Sequence, residues 1–157
     1  WLQAEDGHVD FSRFFVHYAS VDVVSAGFNA LEEIRAADTP LDEKWAIFEP
    51  YWERARNTAY CRAVDIAIRG LFGLPGLNAN TCAPLAAKMR ELRKPGYYRF
   101  VLKDKARIER SVLDIGADRA DPEFYAPVAR LDHFIMARTR QDLRTLSSEA
   151  DSHAPLG

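Results

Sequence analysis

The sequence predicts an α/β fold that is predominantly helical, and three observations carry that expectation. Apolar residues recur at helical spacing between capping and stopping residues over roughly the first two thirds of the chain. Two short runs rich in β-branched and apolar residues follow, bounded by Asp, Gly and Pro, and read as strands. With 157 residues, 48% hydrophobic and 28% charged, and only 8 Gly and 8 Pro, the composition suits a folded globular chain with a real core and excludes a disordered or collagen-like one. The expected division is a helical region over 1–106, two strands and a helix over 107–146, and a polar tail over 147–157, all in a single structural unit.

The elements follow in order. Asp10 stands before Phe11, Phe14, Phe15 and Tyr18, the face of a short aromatic helix behind an N-cap. Ser20 is placed to cap a second helix through Val21, Val23 and Val24, stopped by Gly27, and Leu31 with Ile34 predicts a further turn. Thr39-Pro40 reads as cap and first helical residue, with Asp42 and Glu43 favourable in the first turn. That helix is expected to run to Phe48 and to break or kink at Pro50. Tyr51 to Phe72 then reads as one helix with a stripe at Tyr60, Val64, Ala67, Ile68 and Leu71, closed by Leu74-Pro75-Gly76. Asn80 or Thr81 caps a helix with the face Cys82, Leu85, Met89 and Leu92, and Lys94-Pro95-Gly96 ends it. Tyr97 to about Lys105 is helical again, Ile108 to Ile115 and Pro127 to Ile135 are the strands, and Arg138 to Leu146 is the last helix. No internal repeat or low-complexity segment interrupts this pattern.

Several chemistries are disfavoured. Lys and Arg number 21 against 23 Asp and Glu, so no basic field points to nucleic acid. No apolar run is long enough for a membrane span and no signal peptide is visible, which leads to a cytoplasmic expectation without membrane partners. Cys61 and Cys82 form no C-x-x-C, so neither a zinc knuckle nor a disulfide framework is supported, consistent with a reducing compartment. His8, His17, His133 and His153 lack metal-ligand spacing, and His17 in its aromatic helix reads as a core histidine. Gly70, Gly73 and Gly76 punctuate a helix end and do not form a phosphate loop, and no G-x-S-x-G is present. The mixed charges from Lys103 to Arg110 read as a solvated surface.

Two clusters can carry binding chemistry. Alternation places Arg110, Val112 and Asp114 on one strand face and Val128, Arg130 and Asp132 on another. An acid then ends each strand, as a pocket residue or as the start of a turn. Extending the long helix's stripe backwards through Val64 and Tyr60 reaches Asn57, Arg56 and Glu53, so the buried face turns polar. Such a cluster is either an interhelical network or a pocket wall.

Tyr51-Trp52, Ala55-Arg56-Asn57-Thr58-Ala59-Tyr60-Cys61-Arg62 and Leu71-Phe72-Gly73, read with Leu77-Asn78-Ala79-Asn80-Thr81, resemble the metal-dependent amidohydrolases of the amidohydrolase-2 family and, more remotely, the uronate isomerases. Lys94-Pro95-Gly96-Tyr97-Tyr98-Arg99, Val112-Leu113-Asp114 and Val128-Ala129-Arg130-Leu131-Asp132 fit in the same order, so the likeness covers roughly residues 10 to 146. The resemblance implies an interior segment of a (β/α)8 TIM barrel: a helical insertion and about two barrel strands. It further implies that a divalent metal, zinc or similar, belongs to the full-length enzyme and is bound by no residue of this chain, the His-x-His pair lying upstream of Trp1 and the other ligands downstream of Gly157. No catalytic residue is identifiable in the segment. Tyr60 matches the Tyr of an Asn-Pro-Leu-Tyr segment in which Asn57-Thr58-Ala59 replaces the first three residues. Arg130 and Asp132 match an Arg-Pro-Asp strand end with Leu131 in place of Pro. The expected substrate-binding set is thus Tyr60, Arg130, Asp132, Arg56, Asn57 and Asp114, directed at a small molecule that bears a carboxylate, in a possible homo-oligomer. Only Gly116 to Ala126 separate the two strands, which leaves parallel and antiparallel pairing both open. The rival reading is a non-catalytic helical binding module.

Overall fold

A computed structural model of the chain describes residues 9–113, 121–128 and 135–144. The chain divides into two compact units, Trp1–Lys105 and Ala106–Gly157. The first is helical and the second holds a two-stranded sheet, so the described residues are mostly helical with a small β component. None of the described helices is long and apolar enough to cross a membrane.

In the helical unit, Asp10 caps as expected, its carboxylate accepting the Ser12 N–H at 2.8 Å. What it caps is a single 3-10 turn, Phe11–Phe14, and not a helix reaching Tyr18. The turn sends Phe11 and Phe15 into the core, both fully buried. Helix α1, Tyr18–Ser25, starts two residues before the expected cap, and Ser20 lies inside it with its hydroxyl donated to the His17 carbonyl at 2.6 Å. Only Ala19 and Val23 of α1 are buried. Val21, Val24 and Tyr18 are exposed, and so is His17, which corrects its reading as a core histidine. Gly27 ends this stretch at φ +100, as expected of a residue without a Cβ. Helix α2, Leu31–Arg35, buries Ile34.

Helix α3, Leu41–Ala55, starts one residue after Pro40 and continues past Pro50 without interruption, which overturns the expected break. The reason lies in the buried positions, Lys44, Trp45, Phe48, Trp52 and Ala55, whose spacing keeps one face in the core along the whole length. Pro50 sits on the exposed side, where the carbonyl left without a helical donor faces water. The break comes instead at Arg56–Thr58. There the Thr58 hydroxyl bonds to the Ala55 carbonyl at 2.7 Å and to the Asp22 carboxylate, and Thr58 becomes the N-cap of α4.

Helix α4, Ala59–Phe72, buries Cys61, Val64, Ile68 and Phe72. Tyr60, expected on that stripe, is 47% exposed and stacks on Tyr18 at 5.1 Å. Helix α5, Cys82–Glu91, buries Cys82, Leu85 and Met89 as its spacing predicts, and Leu92 packs at the edge of the core. Lys88 of α5 donates to the Phe72 carbonyl at 2.6 Å, satisfying the end of α4. The final helical stretch begins as α6, Tyr97–Arg99, and widens to a π-helix over Phe100–Lys105. Around α3 the core is aromatic: Phe48 lies 4.6 Å from Phe15, 5.3 Å from Phe28 and 5.3 Å from Phe11, and Phe11 meets Trp45 edge-on at 5.6 Å.

A single ion pair enters this core among the described residues. Lys44 Nζ stands 3.0 Å from Asp10 Oδ2, the side chains 0% and 4% exposed. Burial pushes the Asp10 carboxyl up, but Ser12 and Lys44 together outweigh it and hold the group below its usual range. The Ser12 N–H makes a full hydrogen bond, while its hydroxyl favours the charge from nearby without reaching hydrogen-bond geometry.

In the second unit, β1, Ser111–Leu113, and β2, Tyr125–Pro127, pair in parallel with Ser111 opposite Tyr125 and Leu113 opposite Pro127. The antiparallel alternative is thereby removed. β1 begins three residues after the start of the expected 108–115 and β2 two residues before that of the expected 127–135, while 114–115 and 129–134 of those spans lie outside the described residues. Val112 is 71% exposed, and Ile135 lies in a helical turn. A further helix is described over 140–144, opened by a capping box in which Thr139 N–H meets Asp142 Oδ2 at 2.8 Å and Asp142 N–H meets Thr139 Oγ1 at 3.1 Å.

Candidate functional site

The helix break at Arg56–Thr58 borders a cleft in the helical unit. Because α3 ends there and α4 leaves in a new direction, the end of α3, one side of α4 and the loop beyond it enclose a cleft of about 520 Å³. Trp52, Arg56 and Asn57 line it from α3 and its end, Arg62, Asp65, Ile66 and Arg69 from α4, and Pro75 to Asn78 from the loop.

Each wall is held by identifiable contacts. The Trp52 indole N–H donates to the Leu77 carbonyl at 3.1 Å, tying the loop to α3. Asp65 does the same from α4, accepting Leu77 N–H at 3.3 Å through Oδ1 and Arg69 Nε at 2.8 Å through Oδ2. Gly76 lies between these contacts at φ +133, a conformation L side chains rarely adopt. A Cβ there would strike Asp65 Oδ1 and stand 3.2 Å from Arg69 Nη2. Asn78 completes the loop, its carbonyl accepting the Thr81 hydroxyl at 3.0 Å and its N–H donating to that same oxygen at 2.8 Å.

Of the six expected substrate-binding residues, Arg56 and Asn57 come together in this cleft. They do so as exposed residues of a turn, not as part of a buried helical face. Tyr60 does not join them, since it lies outside the cleft lining and is engaged with Tyr18. Asp114, Arg130 and Asp132 lie outside the described residues, as do His8, His133 and His153. Arg62, Asp65, Ile66 and Arg69 were not expected in a site. Their signal was present in their spacing of i, i+3, i+4 and i+7, which makes a second stripe beside the buried one.

Electrostatically the lining is cationic, with Arg56, Arg62 and Arg69 against Asp65 alone. Arg56 is 3.3 Å from Glu53 and Arg69 is held by Asp65, whereas Arg62 has no acidic partner among the described residues. The arrangement suits recognition of an anion over an apolar floor of Trp52, Pro75 and Leu77. The two thiols lie in the core and not in the lining: burial, with Asp10 and Glu49 adding negative charge, pushes Cys82 up to about 12, and burial also raises Cys61. The metal implied by the resemblance finds no fit here, since no three His, Cys, Asp or Glu among the described residues group as ligands. No family model, no curated protein and no solved structure matches the chain.

Proposed function

We propose that the chain is a segment of a metal-dependent amidohydrolase-superfamily enzyme, a (β/α)8 barrel enzyme that hydrolyses a small organic substrate with metal-activated water, and that this segment supplies substrate-pocket residues. The observation that supports the reading is the placement of Arg56 and Asn57 in the wall of one cleft with Arg62. Such a wall is chemically matched to a carboxylate-bearing substrate of a cytoplasmic enzyme. The parallel pairing of β1 and β2 is the pairing that neighbouring barrel strands require.

The deciding experiment is to sequence the gene on both sides of this chain and to measure bound metal in the full-length product. A His-x-His pair upstream, further His and Asp downstream, and stoichiometric zinc or a similar divalent ion are expected. A full-length product without those ligands and without metal overturns the proposal. A helical binding module is the second reading, favoured by one specific fact: every residue lining the cleft lies between Trp52 and Asn78, within a unit that has its own aromatic core.

A further inference from the structure

Helix α4 is amphipathic in an unusual way, because it has two working faces. Cys61, Val64, Ile68 and Phe72 enter the core. Arg62, Asp65, Ile66 and Arg69 form the adjacent stripe and all line the cleft. Within that stripe Ile66 stands 62% exposed between arginines, with Pro75 across the cleft. A lone exposed Ile needs no explanation, but one flanked by guanidinium groups in a concave site offers an apolar contact beside an anion contact.

The three cleft arginines are not equivalent. Arg56 is drawn 3.3 Å from Glu53, and Arg69 is fixed by Asp65 at 2.8 Å. Arg62, one helical turn from Ile66, has its fork of donors unclaimed by any acid among the described residues. Asp65 meanwhile sets an upper limit on how much negative charge the site accepts, because a second anionic group beside Arg69 must face its carboxylate. We infer that the cleft binds a small organic monocarboxylate with an apolar body, that Arg62 is its anchor, and that Asp65 is a specificity-determining residue that disfavours dianions. The inference rests on the cleft being the ligand site of the proposed function, and it assigns the anchor to a residue outside the set expected from the sequence.

The test is a titration of the whole 157-residue chain with benzoate, with benzamide as the uncharged counterpart of the same shape, and with inorganic phosphate as a dianion, followed by NMR at the Trp52 indole and the Asn57 amide. Benzoate is expected to bind in the millimolar range and to outcompete both other probes. Arg62→Gln should weaken benzoate about tenfold, the loss of one charge-assisted contact. Asp65→Asn, which keeps an oxygen for the Leu77 N–H, should strengthen benzoate severalfold and phosphate more. A merely structural role for the stripe would weaken binding in both variants, so opposite signs, with unchanged circular dichroism, are the signature. Equal binding of benzoate and benzamide, preference of the unaltered chain for phosphate, or an unchanged affinity in Arg62→Gln overturns the inference. A full-length protein without metal whose benzoate affinity still depends on Arg62 removes the hydrolase proposal and leaves this inference standing. A metal-dependent hydrolase indifferent to Arg62→Gln does the reverse.

Discussion

Replacing Lys44 by Met tests the most consequential interaction in the helical core. Met keeps most of the aliphatic stem that packs on α3's buried face, so the variant removes the charge with little change in volume. What remains is the Asp10 carboxylate, 4% exposed, still bound to the Ser12 N–H but deprived of the cation 3.0 Å away. Breaking a buried pair from one side costs about 3–5 kcal/mol, a large share of the roughly 5–15 kcal/mol that holds an ordinary domain together. Urea unfolding of both proteins, followed by far-ultraviolet circular dichroism, measures the loss. The double variant Asp10→Asn, Lys44→Met should be less destabilised than the sum of its single changes, by about 1–3 kcal/mol. The pH dependence carries a second signature. Asp10 titrates below its ordinary 3.8 in the fold, so its contribution is fully present above that value and is lost as the pH falls through the lower folded value. In Lys44→Met the lowering influence of the cation is lost while that of Ser12 remains, so the carboxyl should move up from its value in the unaltered protein. That variant should therefore lose less stability than the unaltered protein as the pH falls through the folded value. A loss under about 1 kcal/mol, or additive single changes, would refute the assignment of the pair as a coupled structural contact.

Other expectations follow from single geometric facts. Gly76→Ala places a Cβ on Asp65 Oδ1 at φ +133 and should cost about 2–4 kcal/mol from strain and one lost hydrogen bond; an unchanged thermal midpoint would show that the loop has another way to close. Pro50→Ala restores a helical donor on the exposed side of α3 and should stabilise by about 1–2 kcal/mol, since the returned bond exceeds the greater freedom of the unfolded chain; a loss in urea unfolding would contradict that balance. Cys82, raised to about 12, should resist a thiol reagent at pH 8 in the folded protein and react only on unfolding; rapid labelling under native conditions would contradict its burial.

The sequence was most legible where a local signal and the core agreed. Asp10 capped a turn because its carboxylate has an N–H two residues ahead to bind, and the face Cys82, Leu85 and Met89 entered the core with the spacing it shows. It was least legible where tertiary packing overrode local chemistry. Pro50 signals a break, yet the row of buried aromatics on either side of it holds α3 continuous through it. Thr58, a preferred capping residue with an acceptor in Asp22, was the true boundary, and the unbroken apolar and polar mixture around it concealed that. In α1 the valines matched a helical stripe in type but not in side, and only Val23 among them is buried.

The cleft shows why a site can be found from sequence for a reason that does not survive. Arg56 and Asn57 were singled out as polar residues on a buried helical face, and that face does not exist, because the helix ends at Ala55. They nonetheless line a cavity, since a chain that turns at a helix end leaves the turn residues at the mouth of the angle it makes. Arg62, Asp65 and Arg69 went unnoticed for the opposite reason: a charged stripe on a helix ordinarily meets water, and nothing local distinguishes it from one that meets a loop. The distinguishing residue is Gly76. Only a residue without a Cβ lets the loop lie directly over Asp65, where Leu77 N–H can reach its carboxylate, and that contact turns an exposed helix face into a wall. If this is how the cleft is made, its ligand affinity and the stability of the loop must fall together in Gly76→Ala, whereas Arg62→Gln must lower the affinity and leave the loop intact.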